Sequence, residues 1–159
     1  MVSLAEPFLL MYNQFMTVYL LQVSLDIDPF DKLRVNPESD RRIEGKNLAD
    51  SPRLQATVQT IKSLTKKNNK IVLLGHRGRP KRFEKNLSLK PFQAILSKKL
   101  NKKVIFLSKF NFQAIRREIS SSPGGSIFLL ENLRFLPGEI KNSAGLAKEL
   151  SSLGDLYIN

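Results

Sequence analysis

The sequence predicts an α/β fold, an open parallel sheet with helices on both faces. Three observations predict it. Short continuous apolar runs recur along the chain, helical patterns with recognisable start signals separate them, and arginine-bearing loops follow two of the runs directly. Continuous apolar runs of this length read as strands buried on both faces. Their alternation with helices argues for right-handed βαβ units. Ligands of such sheets bind at the carboxyl ends of the strands, where the arginines fall.

The first strand is expected over residues 17–25, which are apolar and partly β-branched. Ser51-Pro52 reads as an N-cap followed by proline at the first helical position, with Leu54, Val58, Ile61 and Leu64 on one face and an end near Asn68-Asn69. The second strand covers residues 70–74. Ser88 can cap a helix carrying Leu89, Phe92, Ile95, Leu96 and Leu100. A third strand covers residues 103–107, a weaker helix residues 111–121, and a fourth strand residues 126–130. Asn142 can cap a last helix with Leu146, Ala147, Leu150 and Leu153, before Gly154. The common core is expected to hold Leu54, Val58, Ile61, Ile71, Leu73, Val104, Phe106, Phe128, Leu130, Leu146 and Leu150. Residues 155–159 begin a further strand, so the chain reads as one cut short on entering a core strand. At 159 residues, one domain is the default. Residues 1–16 read as a leading segment and residues 17–159 as a single lobe.

Apolar residues at 42% and charged residues at 25% exclude disorder and a fibrous architecture. The chain lacks cysteine, which removes disulfide frameworks and thiolate metal sites and fits a reducing, cytoplasmic compartment. Residues 7–25 carry no charge, but Asn13, Gln14, Thr17 and Gln22 interrupt the apolar run and no basic segment precedes it. A membrane helix needs roughly 20 predominantly apolar residues, so a membrane span is not expected. The net charge of +12 implies attraction to anions, whether nucleic acid, acidic membrane or phosphorylated metabolite. The excess is local. Residues 62–109 hold fifteen Lys and Arg against the single acid Glu84.

The second strand runs into Gly75-His76-Arg77-Gly78-Arg79-Pro80 and the fourth into Glu131-Asn132-Leu133-Arg134-Phe135. Both loops place guanidinium groups beyond a strand's carboxyl end, and the planar fork of arginine matches phosphate and carboxylate oxygens. Together they make an oxyanion cradle. His76 has no neighbouring Ser, Cys or second His for a triad or metal site and reads as a phosphate donor. The glycines match neither GxxxxGK[ST] nor GxGxxG, so neither a nucleotide site nor a metal site is expected in this chain.

These residues carry a family resemblance. Gly75-His76-Arg77-Gly78-Arg79-Pro80 resembles the SHLGRP motif of phosphoglycerate kinases, with Gly75 and Arg77 in place of serine and leucine. Leu129-Leu130-Glu131-Asn132-Leu133-Arg134-Phe135, with Gly138-Glu139 and Lys141-Asn142, resembles that family's LLENVRF...GE..N segment. Arg53 with Thr60-Ile61-Lys62 resembles its TRI...TIK helix start, and Asp155-Leu156-Tyr157-Ile158-Asn159 its ADVYVND strand. The match covers residues 48–159. Upstream, the RVDFNVP motif corresponds either to residues 24–29, with Asp26 and Asp28 at its aspartate and asparagine, or to Arg34-Val35-Asn36-Pro37. The first is preferred because it ends the apolar first strand.

The resemblance implies a Rossmann-like N-terminal lobe of a phosphoglycerate kinase. That enzyme is a glycolytic phosphotransferase moving a phosphoryl group between 1,3-bisphosphoglycerate with ADP and 3-phosphoglycerate with ATP. Carried over, Arg53 is the catalytic residue, touching the transferring phosphoryl group and the substrate carboxylate. His76, Arg79 and Arg134 hold the C3 phosphate, Asp26 sits at the C2 hydroxyl, and Asp28 adds a carboxylate near the substrate. Mg-ATP or Mg-ADP is bound by a second lobe that this chain lacks, so the chain alone is not expected to turn over. Two other readings compete: a catalytically silent anion-binding or scaffolding lobe, and a basic nucleic-acid-binding module. The last is disfavoured because single-strand binders expose stacking aromatics, whereas these phenylalanines mostly fall at core-compatible positions.

Overall fold

The computed structural model describes residues 16–25, 51–65 and 68–159. Five strands form one sheet: β1 (Val18–Ser24), β2 (Lys70–His76), β3 (Val104–Leu107), β4 (Ile127–Leu130) and β5 (Leu156–Ile158). The order across the sheet is β3-β4-β2-β1-β5, and every pairing is parallel. Helices α1 (Pro52–Thr65), α2 (Lys90–Leu100), α3 (Phe112–Ser121), α4 (Pro137–Ile140) and α5 (Ala144–Ser151) connect the strands, with short 3-10 turns at Lys85–Leu87 and Leu133–Phe135.

The apolar runs become the central strands because both faces of β2 and β4 are covered. Ile71, Val72, Leu73 and Leu74 are buried, as are Ile127, Phe128, Leu129 and Leu130. Alternate residues feed two cores on opposite faces rather than the single one expected. The first packs Ile71, Leu73, Ile127 and Leu129 against Leu54, Val58 and Ile61 of α1 and Phe92, Leu96 and Leu100 of α2. The second packs Val72, Leu74, Phe128 and Leu130 against Ile115 and Ile119 of α3 and Leu153 beyond α5. Each fully buried side chain of this size contributes about 1.5 to 3 kcal/mol. Phe106 on the edge strand β3 and Leu150 on α5 lie only partly buried at the core margins, and Leu146 on α5 is half-buried outside both clusters, while β5 forms the other edge of the sheet. Leu156 and Tyr157 of β5 are exposed on that edge.

Several boundaries differ from the sequence reading. β2 continues through Gly75 and His76, which pair with Val23 and Ser24 of β1. α1 stops at Thr65, and Asn68 beyond it takes a positive φ of 62°. Ser143 rather than Asn142 caps α5, accepting from the Leu146 amide, while Asn142 itself has φ 48° in the turn before it. Asn111 caps α3 by accepting from Ala114 at 3.0 Å. Among the described residues no helix is long and apolar enough to cross a membrane. All of residues 1–16 except Met16 lie outside the described residues.

At the amino edge of the sheet, Lys70 is buried and its Nζ donates to the carbonyls of Ile119 and Ser120 at 2.7 and 3.0 Å. It thereby satisfies two carbonyls of the last turn of α3 and places a cation at the negative end of that helix. Desolvation by burial lowers its pKa below the usual lysine value. The folded chain therefore releases this proton at a lower pH than the unfolded chain does, so the Lys70 contribution to stability rises as pH climbs through the folded value toward 10.5. Denaturant titrations of wild type and Lys70→Met as the pH is raised toward 10.5 are expected to show the wild type gaining relative stability. A flat difference would contradict this assignment.

Candidate functional site

Strand order places the candidate site before any side chain is considered. The chain leaves β2 toward α2 on the first face and leaves β4 toward α5 on the second, although β2 and β4 are neighbours. Adjacent strands whose connections depart to opposite faces open a crevice at their carboxyl ends, where open α/β sheets take their ligands. The two arginine loops border this crevice.

The loop after β2 is drawn tight against the helix it leads to. A Cβ on Gly75 would lie 3.2 Å from both Leu89 and Val23, so glycine lets the strand end pack on the start of α2. Gly78 has φ +62°, and a Cβ there would come within 2.9 Å of Leu87. A side chain at this position meets both a backbone penalty and a clash. Arg77 turns inward: it is buried, its guanidinium donates to the Asn86 carbonyl at 2.8 Å, and it lies 6.0 Å from the centre of the Phe92 ring. It stitches the loop rather than facing a ligand.

The loop after β4 supplies the fastening. Asn132 is fully buried. Its Oδ1 accepts from the Arg77 and Arg134 amides, each at 3.1 Å, and its Nδ2 donates to the carbonyls of Arg77 at 2.8 Å and Leu87 at 3.0 Å. One side-chain amide thus uses both its lone pairs and both its protons to join two loops some fifty residues apart in the chain. Glu131 beside it accepts from the Ser88 hydroxyl at 2.7 Å, the Leu89 amide at 2.8 Å and its neighbour's amide at 2.7 Å. A carboxylate from β4 therefore sits at the start of α2, where amide groups and the helix dipole favour an anion. Ser88 stands one residue upstream of its expected cap position, which Leu89 occupies, although its hydroxyl still accepts from Lys90 at 3.1 Å.

Arg134 is half-buried; its Nη1 donates to the Gly78 carbonyl at 2.5 Å, and its Nε lies 3.7 Å from Glu139. The guanidinium of one loop is thus held against the backbone of the other, one residue from Arg79. Arg79 is exposed and makes no hydrogen bond or ion pair among the described residues. His76 ends β2 half-buried, on the wall of a cavity of about 350 Å³ on the second face that Leu20, Leu74, Leu133, Leu150 and Glu139 also line. Tyr157 and Gln22, hydrogen-bonded to each other, border the same hollow. Arg53 is exposed in the first turn of α1. A crossover helix runs antiparallel to its strands, so this turn belongs to the same edge of the sheet. Its side chain makes no hydrogen bond or ion pair with the other candidates. Asp26 and Asp28 lie outside the described residues.

The structure therefore joins Arg134 to the Arg79 loop, sets His76 at the adjoining strand end, and leaves Arg53 apart on the same edge. Sequence reasoning missed Glu131 and Asn132 as the parts that position the rest. A signal was present: two polar residues directly after a continuous apolar strand must either reach solvent or find partners. Among the described residues no cluster of three or more His, Asp or Glu could hold a metal ion.

Comparison with known proteins adds to this geometry. Residues 33–159 match the family model described as phosphoglycerate kinase. A relative from Wolbachia sp. subsp. Drosophila simulans (strain wRi), named phosphoglycerate kinase, is 40% identical over 117 residues, covering 74% of this chain and 29% of its own length. A wheat (Triticum aestivum) relative, named phosphoglycerate kinase, cytosolic, is 37% identical over 116 residues, covering 73% and 29% respectively. The solved phosphoglycerate kinase of Coxiella burnetii superposes with a TM-score of 0.66 at 28% identity, over 91% of this chain and 32% of that one. The chain spans somewhat under a third of the length of these relatives.

Proposed function

This chain belongs to the phosphoglycerate kinase family, and on that footing we propose that residues 17–159 act as a 3-phosphoglycerate-binding lobe. The observation that carries the reading is the fastening of two guanidinium-bearing loops at neighbouring strand ends, through Asn132 and the contact of Arg134 with Gly78. Arg79, Arg134 and His76 take the C3 phosphate. Arginine has five donors, so Arg134 keeps N–H groups for a phosphate while holding the Gly78 carbonyl. Arg53, from the first turn of α1, meets the substrate carboxylate or the acyl phosphate of 1,3-bisphosphoglycerate. Asp26 is assigned to the C2 hydroxyl, and Asp28 to the substrate's surroundings, by the family resemblance alone. The activity served is glycolytic phosphoryl transfer between a carboxyl acceptor and a nucleotide, in the cytoplasm, in keeping with the cytosolic wheat relative.

Phosphoryl transfer needs positioning and neutralisation of charge on the equatorial oxygens more than covalent help. These residues supply positioning and positive charge at the phosphoglycerate end. They do not fit Mg-ATP or Mg-ADP, because the described residues offer neither a metal-binding cluster nor a glycine-rich phosphate loop.

Calorimetric titration of 3-phosphoglycerate tests the reading. Weak binding to wild type is expected, with Arg79→Ala lowering affinity about 10- to 150-fold, the value of one charge-assisted phosphate contact. A Lys98→Ala/Lys99→Ala double variant should bind as wild type does, and a coupled assay on the same preparation should show no phosphoryl transfer. Absence of binding, or equal binding by Arg79→Ala, would sink the proposal.

A further inference from the structure

The phenylalanines mostly fall at core-compatible positions, with one exception among the described residues. Of the described phenylalanines only Phe83 is exposed, at 64%, and it stands in the middle of the basic loop between β2 and α2. Its ring is held against Phe135 of the other strand-end loop, with centroids 4.9 Å apart and planes at 57°. The contact anchors the ring, and most of the residue stays open to solvent. Lys81, Arg82 and Lys85, each within two residues of Phe83, are all exposed and form no ion pair among the described residues. Glu84 is the single acid in residues 62–109. It is half-buried, and its carbonyl accepts from the Leu87 amide.

A fixed aromatic face ringed by unpaired cations is the arrangement that binds single-stranded nucleic acid: bases stack on the ring while Lys and Arg follow the phosphates. We propose that the Lys81–Lys85 loop is a stacking site for single-stranded nucleic acid, distinct from the phosphate cradle that begins at Arg79. Phosphoglycerate has no ring to stack on an exposed phenyl group, and a duplex hides its base faces. The ring selects for unpaired bases.

The test is fluorescence anisotropy of a labelled oligothymidine titrated with the full chain, alongside a duplex of the same length and vesicles of phosphatidylserine and phosphatidylcholine. Micromolar binding of the single strand is expected. Three neutralised phosphates should make log K fall with log salt at a slope of about −2. Phe83→Ala and Phe83→Leu should each weaken binding about 5- to 100-fold, and Phe83→Tyr should retain it, because stacking needs a ring. A Lys81→Ala/Arg82→Ala variant should weaken binding and flatten the salt slope. Thermal unfolding confirms that each variant folds, which an exposed position favours. Equal affinity for duplex, unchanged binding in Phe83→Leu, or binding to vesicles and not to the oligonucleotide would each overturn the proposal. Saturating 3-phosphoglycerate should leave binding to the loop in place, so failure here is separable from failure of the phosphoglycerate reading.

Discussion

Replacing Asn132 with alanine is expected to destabilise the chain by about 3 to 5 kcal/mol, near the upper end for a single substitution. The side chain is fully buried and makes four hydrogen bonds, all to backbone groups. Truncation removes a partner from the amides of Arg77 and Arg134 and from the carbonyls of Arg77 and Leu87. Each buried group left unpaired costs about 1 to 3 kcal/mol, less where water can enter. Asn132→Asp should be no milder. An aspartate keeps an acceptor toward the two amides but turns its second oxygen, with a buried charge, on two carbonyl oxygens. Urea unfolding should show the midpoint falling while the slope stays constant. An effect of either variant below about 1 kcal/mol would mean the two loops are held by something else.

Glu131→Ala should cost about 3 to 4 kcal/mol, and Glu131→Gln only about 1 to 2, both read by the same unfolding measurement. The difference follows from the donor set. Oε1 accepts from two backbone amides and Oε2 from a hydroxyl, and the serine hydroxyl can reverse its role toward an amide NH2 where a backbone N–H cannot. Glutamine therefore keeps all three contacts and loses the charge at the start of α2. Alanine leaves the amides of Leu89 and Asn132 bare beneath the helix. Equal losses from both variants would show that charge, rather than hydrogen bonding, holds the helix start.

The strands were legible because burial on both faces demands continuous apolar runs, and Ile71 to Leu74 and Ile127 to Leu130 are such runs. The guanidinium loops were legible because they follow those runs directly. Caps were legible only to within a residue. Asn142 and Ser143 are both competent, and the choice between them rests on the turn after α4. At α2 the cap comes from Glu131, over forty residues away in the chain, which no local rule finds. The inward turn of Arg77 was hidden for a similar reason, since its partners, Asn86 and the Phe92 ring, depend on the path of a loop closed by Asn132. The exposure of Phe83 followed from the same loop path. Hydrophobic pattern fixes which runs are buried, whereas long-range polar contacts decide where the loops point.

The strand order also bears on how the chain reaches this state. β4 lies between β2 and β3, yet it is synthesised after both. Until residues 127–130 arrive, β2 and β3 have no common partner, and two of the most apolar segments present open edges. β5 then closes on β1, setting Leu156 beside Tyr19 across nearly the whole described chain. Pairings this distant in sequence slow folding, because loops must close before contacts compensate. Unpaired apolar edges meanwhile invite association with other copies. Glu131 and Asn132 follow immediately after β4, so the residues that lock the crevice emerge from the ribosome directly behind the strand that completes the centre of the sheet.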